Sequence, residues 1–340
     1  MSTPQTAGRA LGSPFAIGTV TIPNRVVLAP MAGLTTSAYR RHLKQHGAGL
    51  VTTEMVSAYG LVYRNVRTGD YLDFAQEERP IAVQLFGDTP EVMARAAEAV
   101  LSRPSVPDLL DINMGCPVRK VMKTGAGAAL LGDPERAVVV AAAVVRIAAQ
   151  AGVPVTVKLR GGLRPGDGLG VDLAPRLEEA GVSGLGVHPR AASEYYHGKA
   201  DHAVTAAVVR AVGIPVMASG DIDGVESAFA VMTGTGAAAV MVARGVAGNP
   251  WLVGELLCGR SVVRPPLPEV VADLRLLLTR AAGEMGPERA ARWMRKLLGW
   301  YLRPSGVSLS AIEGLRQLPE AGALDVALAA LTEGPAGAGV

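Results

Sequence analysis

One of the two cysteines in this chain, Cys116, stands where a thiol could do chemistry: directly after an apolar run and before a proline, in LLDINMGCPVR. A thiol there could act as a nucleophile, a metal ligand or a proton donor. Neither Cys116 nor Cys258 belongs to a CxxC pair, and nothing resembles a Ser-His-Asp or Cys-His-Asn order. A structural zinc site and a protease triad are therefore not expected. Other reactive residues recur in the same setting, at the ends of apolar runs. Gln84 lies in IAVQLFG, Asn113 just ahead of Cys116, Lys158 and Arg160 in VTVKLRGG, and His188 and Arg190 in GLGVHPR. Ser219, Gly220 and Asp221 close VMASGD, Ala243 and Arg244 close VMVAR, and Pro30, Met31 and Ala32 follow VVLA. Most have an ordinary alternative: Gln84 could satisfy an interior hydrogen bond, Glu54 could pair with a nearby cation, and His188 could be a core histidine. Lys158 is harder to explain that way, because a lysine inside a buried strand is costly unless paired.

The elements that must position these residues are eight short apolar runs, each followed by an Ala-rich segment with helical spacing. They cover residues 25–30, 49–55, 81–87, 109–115, 153–162, 184–190, 214–222 and 237–245. Near-continuous apolar runs alternating with helices predict a parallel sheet covered on both faces. Eight such units predict a closed (β/α)8 TIM barrel over 14–260. An open doubly wound sheet is the alternative, but no GxGxxG follows the first run. In such a barrel the C-terminal strand ends form one mouth, so the residues above would meet there. The glycines and Arg244 after the seventh and eighth runs are placed to bind a phosphate.

Beyond a Pro-rich connector at 262–270, the spacing predicts an all-helical domain over 269–332 and a flexible tail at 333–340. Arg289, Arg292 and Lys296 share one helical face, which suits phosphate contacts. Trp293, Leu297, Trp300 and Tyr301 are expected to bury on another. A formal charge of +3 is too small to identify a nucleic-acid partner by itself, while 49% hydrophobic residues exclude wholesale disorder. The sparse cysteines, the absence of a signal-like N-terminal segment, and an Arg146 that breaks AVVVAAAVVRIAA lead to the expectation of a soluble cytoplasmic protein without a membrane span.

Together LAPMAGLT, DINMGCPVRKVMKTGAGAALL, VTVKLRGG, GVHPRA, SGDI and RGVAGNPWL resemble the tRNA-dihydrouridine synthases, closest to the bacterial B-type branch. The likeness runs from about residue 14 to 302, including RKLLGWYL in the helical region. It implies an FMN-dependent barrel with a helical tRNA-binding domain, using NADPH to reduce the C5–C6 bond of particular uridines in tRNA. Hydride would pass from flavin N5 to uracil C6, and Cys116 would give C5 its proton. By motif, Pro30, Met31 and Ala32 would lie under the flavin, Gln84 would bond its edge, and Lys158 would sit near N1 and O2 with His188 close by. Ser219, Gly220, Asp221, Ala243 and Arg244 would hold the ribityl phosphate. Asn113, Arg160 and Arg190, with Arg289, Arg292 and Lys296, would contact tRNA. No metal is expected, and the chain is taken as a monomer. The family's common Asn-Gly-Asp is Ser219-Gly220-Asp221 here, its usual glycine is Ala243, and HPRAA replaces HGRT. A flavin reductase of free pyrimidines, similar to a dihydroorotate dehydrogenase, would share the barrel but would not need the helical appendage.

Overall fold

The computed structural model describes residues 11–63, 69 and 72–333. A short antiparallel hairpin, β1 (Phe15–Ile17) and β2 (Val20–Ile22), comes first. Then follow β3 (Val26–Leu28), β4 (Val51–Thr52), β5 (Val56–Ser57), β6 (Ile81–Phe86), β7 (Leu109–Met114), β8 (Val155–Arg160), β9 (Gly184–His188), β10 (Val216–Ser219) and β11 (Ala239–Val242). They pair in parallel in the order β3-β11-β10-β9-β8-β7-β6-β4, and β5 extends the pairing along β6. Val27 bridges Leu50, and the Leu28 N–H donates to the Leu50 carbonyl at 2.8 Å, which closes the order into a barrel. Each of the eight apolar runs contains one barrel strand. The hairpin and β5 were not anticipated, because strands of two or three residues are too short for periodicity to register.

Successive strand side chains point to opposite faces. Val83, Leu85, Leu110, Ile112, Val157, Leu159, Leu185 and Val187 accordingly pack outward against the helices. The alternate residues face the barrel axis. At the lower end these are apolar, with Leu109, Met217 and Ala239 packed on Ile17 and Ile22 of the hairpin, which plugs the barrel. Toward the C-terminal end they turn polar, because that end opens to solvent and a polar group there can be hydrated or paired.

Four helices, Leu267–Met285, Pro287–Leu302, Leu309–Arg316 and Ala321–Ala330, follow the barrel. They share a core with it: one apolar cluster runs from Leu28 and Val242 through Leu252 to Leu274, Leu297 and Leu324. A polar clamp adds to this joint. His42 and His46 Nε2 each lie 3.0 Å from a different oxygen of Asp273, which the first of these helices carries. Burial works to raise the Asp273 pKa, but the hydrogen bonds from the two histidines prevail and hold it at about 2. These three are the one group of His, Cys, Asp and Glu among the described residues whose ligand atoms lie within 4.8 Å of one another. Hydrogen bonding across the joint accounts for them. Residues 334–340 of the expected tail lie outside the described residues. No helix among the described residues is long and apolar enough to cross a membrane.

Candidate active site

One cleft of about 640 Å3 occupies the C-terminal mouth of the barrel. Pro30, Met31, Ala32, Gln84, Asn113, Cys116, Lys158, Arg160, His188, Ser219, Gly220, Asp221, Ala243, Arg244 and Lys296 all line it. Arg190, expected there too, does not: it is 2% exposed and lies behind the wall. Arg289 and Arg292, expected to contact tRNA from the C-terminal helices, are exposed there.

The floor is a chain of hydrogen bonds set by strand register. Gln84 on β6, Asp111 on β7 and Thr156 on β8 are direct neighbours. Thr156 Oγ1 donates to Asp111 Oδ1 at 2.5 Å, Gln84 Nε2 donates to Asp111 Oδ2 at 2.6 Å, and Asn113 Nδ2 donates to Gln84 Oε1 at 2.9 Å. Burial pushes the Asp111 carboxyl up, against those two hydrogen bonds and the nearby Lys158. Asp111 was overlooked in the sequence. The signal was there, since it has the same parity as Asn113 and so faces the same interior.

Asn113 also shapes the turn that carries Cys116. Its Oδ1 accepts from the N–H of Cys116 at 2.9 Å and of Gly115 at 3.2 Å. Arg160 Nε donates to the Gly115 carbonyl at 2.8 Å and Nη1 to the Tyr195 carbonyl at 2.7 Å, joining this turn to the loop after β9. Burial raises the Cys116 pKa above its ordinary value of 9.0, outweighing the Val118 N–H and the Arg160 charge. The half-buried thiol is therefore protonated at neutral pH.

Beside this turn the wall is cationic, since Lys158 on β8 is the direct neighbour of Asn113 on β7. Lys158 is pushed down to about 8, first by burial and then by Arg160, with Asp111 acting against both. Its stem runs over Gly186, where an added Cβ would meet Lys158 Cδ at 2.8 Å. His188 is driven to about 2 by burial and by the charges of Lys158, Arg160, Arg190 and Arg244, so it is neutral. Arg190 Nη1 lies 3.3 Å from His188 Nε2. A guanidinium only donates, so Nε2 accepts and the imidazole proton is on Nδ1.

At the far end Arg190 grips both Asp221 oxygens, at 2.8 and 2.9 Å, and the Ala200 N–H donates to the same carboxylate at 2.7 Å. This holds a turn in which Gly220 has φ 116 and Asp221 φ 51, the left-handed region that costs a side chain least at glycine. Within the described residues the backbone N–H groups of Gly220, Asp221 and Ile222 meet no acceptor. With Arg244, whose side chain is 60% exposed, they form a donor-rich pocket suited to an anion.

The C-terminal helices reach this mouth through Gly33, which has φ 73 in the loop after β3. Its N–H donates to Glu54 Oε2 at 2.5 Å, and its carbonyl accepts from Lys296 Nζ at 2.7 Å and Trp293 Nε1 at 3.1 Å. Lys296 thus points at the barrel and is set apart from Arg289 and Arg292. Trp300, expected to be buried, is 49% exposed and lines the cleft. Tyr196, missed in the sequence, stacks 6.3 Å from His188 and carries Arg160 and Arg244 each 5.3 Å from its ring centre.

A family model described as dihydrouridine synthase matches residues 27–323. The tRNA-dihydrouridine synthase B of Pseudomonas aeruginosa is 38% identical over 290 residues, which is 84% of this chain and 86% of that protein. That of Xanthomonas campestris is 36% identical over 311 residues, 90% of this chain and 92% of its own length. Among solved structures, the old yellow enzyme homologue of Zymomonas mobilis superposes with a TM-score of 0.57 at 15% identity, covering 75% of this chain and 94% of that one. The old yellow enzyme of Trypanosoma cruzi gives 0.56 at 14% identity, covering 81% and 97%. At that identity the likeness concerns the fold alone. From the family match and the relatives' identity along nearly their whole length, the chain belongs to the dihydrouridine synthase family.

Proposed function

We propose that the chain is a flavin-dependent oxidoreductase that reduces a uridine in tRNA to dihydrouridine, with FMN as bound cofactor and NADPH as reductant. The observation that carries this reading is the meeting of a free anion pocket, a cationic wall and a protonated thiol in one cleft. The residues present fit FMN. The N–H groups of Gly220, Asp221 and Ile222 with Arg244 suit a single phosphate, and Pro30, Met31 and Ala32, which follow the strand next to the one leading to Arg244, line the same cleft. Gln84 and Lys158 offer polar atoms to a heterocycle's edge. When bound, the flavin supplies the hydride. Lys158 keeps that edge positive, and the neutral His188 can donate from Nδ1. Arg190 acts as a positioning residue by holding Asp221 and His188. Cys116 delivers a proton to C5 of the uracil, and the Arg160 and Asn113 contacts fix the turn from which it does so. Dihydrouridine that is lost from tRNA when the gene is deleted, and restored by the wild-type gene, would support the activity. Its persistence in the deletion would sink it.

The cofactor makes a separate prediction. Arg244→Ala removes a charge-assisted contact and should weaken FMN binding roughly 10- to 100-fold. Fluorescence titration of apoprotein with FMN measures this directly, and an unchanged Kd would take the phosphate away from Arg244.

On the helical domain, Arg289 and Arg292 are exposed and suit the tRNA backbone. Half-buried Arg280 and Arg295 do not share that freedom, and Lys296 is bonded to Gly33. Reversing Arg289 and Arg292 to Glu should weaken tRNA binding and flatten the slope of log K against log salt by about 1.4–1.8, the release expected for two phosphate contacts. Reduction of bound flavin by NADPH should not change. A salt slope equal to the wild type's would place the tRNA elsewhere.

A further inference from the structure

A second cleft, of about 440 Å3, lies beside the first. The buried Pro117 lines both, so the two clefts adjoin there. Two consecutive tyrosines divide between the clefts in the same way: Tyr196 faces the first and Tyr195 the second. Tyr195 is held there at φ 51 and ψ −96, a backbone conformation unfavourable for a residue with a side chain. Such a conformation persists only where its surroundings over-determine it. Here the Tyr195 carbonyl accepts from Arg160 Nη1, and its N–H donates to the Ala192 carbonyl at 3.2 Å. The arginine that braces the Cys116 turn therefore also turns Tyr195 out toward the neighbouring cleft.

The two halves of this second cleft differ chemically. Its wall is Pro117, Met122, Leu163 and Tyr195, apolar and partly aromatic. Its rim carries Arg119, Lys123 and Arg164, all exposed, and none forms an ion pair with an acidic group among the described residues. A flat apolar seat under a cluster of free cations matches a nucleobase with its phosphates, and unstacked bases are commonly held on aromatic side chains. Continuity across Pro117 sets which nucleotide this would be.

We infer that the second cleft is a subsite for the nucleotide adjacent to the reduced uridine, its base stacked on Tyr195 and its phosphates facing Arg119, Lys123 and Arg164. This rests on the tRNA-reducing function proposed above. The subsite gives the enzyme a hold on a second nucleotide, so recognition near the reacting base extends beyond the uracil ring.

The test uses the full-length flavoprotein and unmodified tRNA transcripts, with the reduced uridine first mapped using wild-type enzyme. Two further transcripts carry an abasic nucleotide on one or the other side of that uridine. Base–aromatic stacking predicts that Tyr195→Ala lowers kcat/KM about 10-fold or more. Tyr195→Phe should retain wild-type values, and FMN content and NADPH-driven flavin reduction should be normal in both variants. One abasic transcript should cost the wild type a similar factor and cost Tyr195→Ala almost nothing more. A kcat/KM of Tyr195→Ala equal to the wild type's, or an abasic penalty undiminished in that variant, overturns the subsite while leaving the function standing. Wild-type enzyme that reduces no uridine in any transcript overturns the function itself, and the subsite with it.

Discussion

Cys116→Ala should cut dihydrouridine formation by about 10²–10⁴-fold, the usual worth of a positioned general acid. The substitution keeps what else the turn does, because Asn113 holds it through the backbone N–H groups of Gly115 and Cys116. Burial holds the thiol above its ordinary pKa, so it carries its proton throughout the neutral range. His188 cannot stand in as an acid there, since burial and then the surrounding charges keep it neutral to about 2. Lys158 titrates near 8, but it sits on the cationic wall and answers to the floor, with its charge felt by Asp111. Single-turnover measurements with pre-reduced enzyme isolate the step: flavin content and the rate of flavin reduction should match the wild type, while transfer to tRNA collapses. Wild-type turnover in the alanine variant at neutral pH would remove Cys116 from the chemistry.

Glu78→Ala should destabilise the protein by roughly 3–5 kcal/mol, because it strands a buried cation. Glu78 is fully buried and Arg40 is 3% exposed. Arg40 Nε donates to Glu78 Oε2 at 2.5 Å, and Ser37 Oγ and the Ala75 N–H donate to Oε1 at 2.5 and 2.8 Å. Arg40 Nη1 also donates to the Thr35 carbonyl at 2.6 Å, and Thr35 in turn bonds the backbone of Met31. The pair thus braces the loop that forms one side of the cleft. For a chain of this size the loss corresponds to a fall in Tm of about 4–7 °C by calorimetry. The double variant Arg40→Leu/Glu78→Leu should lose less than Glu78→Ala, because it leaves no buried charge unpaired. Equal losses in the two would mean the damage comes from packing and not from the stranded charge.

Much of the barrel was legible in the residues alone. Strands buried on both sides need long apolar runs, and the helices between them need 3.6-residue spacing, so the eight units could be counted without any contact being known. Parity carried the inference further. Residues two apart on a strand share a face, which is why Gln84, Asn113, Lys158 and His188, read one at a time as polar interruptions, all face one cleft. The same rule would have found Asp111 had it been applied to β7 as strictly as to its neighbours.

What only the tertiary structure decided concerns groups whose partners lie far away in the chain. Arg190 sits at a strand end exactly as Arg160 does in sequence terms, yet Asp221, a residue from the next strand's loop, draws it behind the wall. Periodicity put Lys296 on a face with Arg289 and Arg292, but which arc of a helix meets another body depends on how the two dock. Here that docking brings Lys296 and Trp293 onto the Gly33 carbonyl and leaves Trp300 at the cleft. A helix's spacing determines which residues lie together; only the packing of the helical domain on the barrel, through a shared apolar core and the His42–Asp273–His46 clamp, determines what they face.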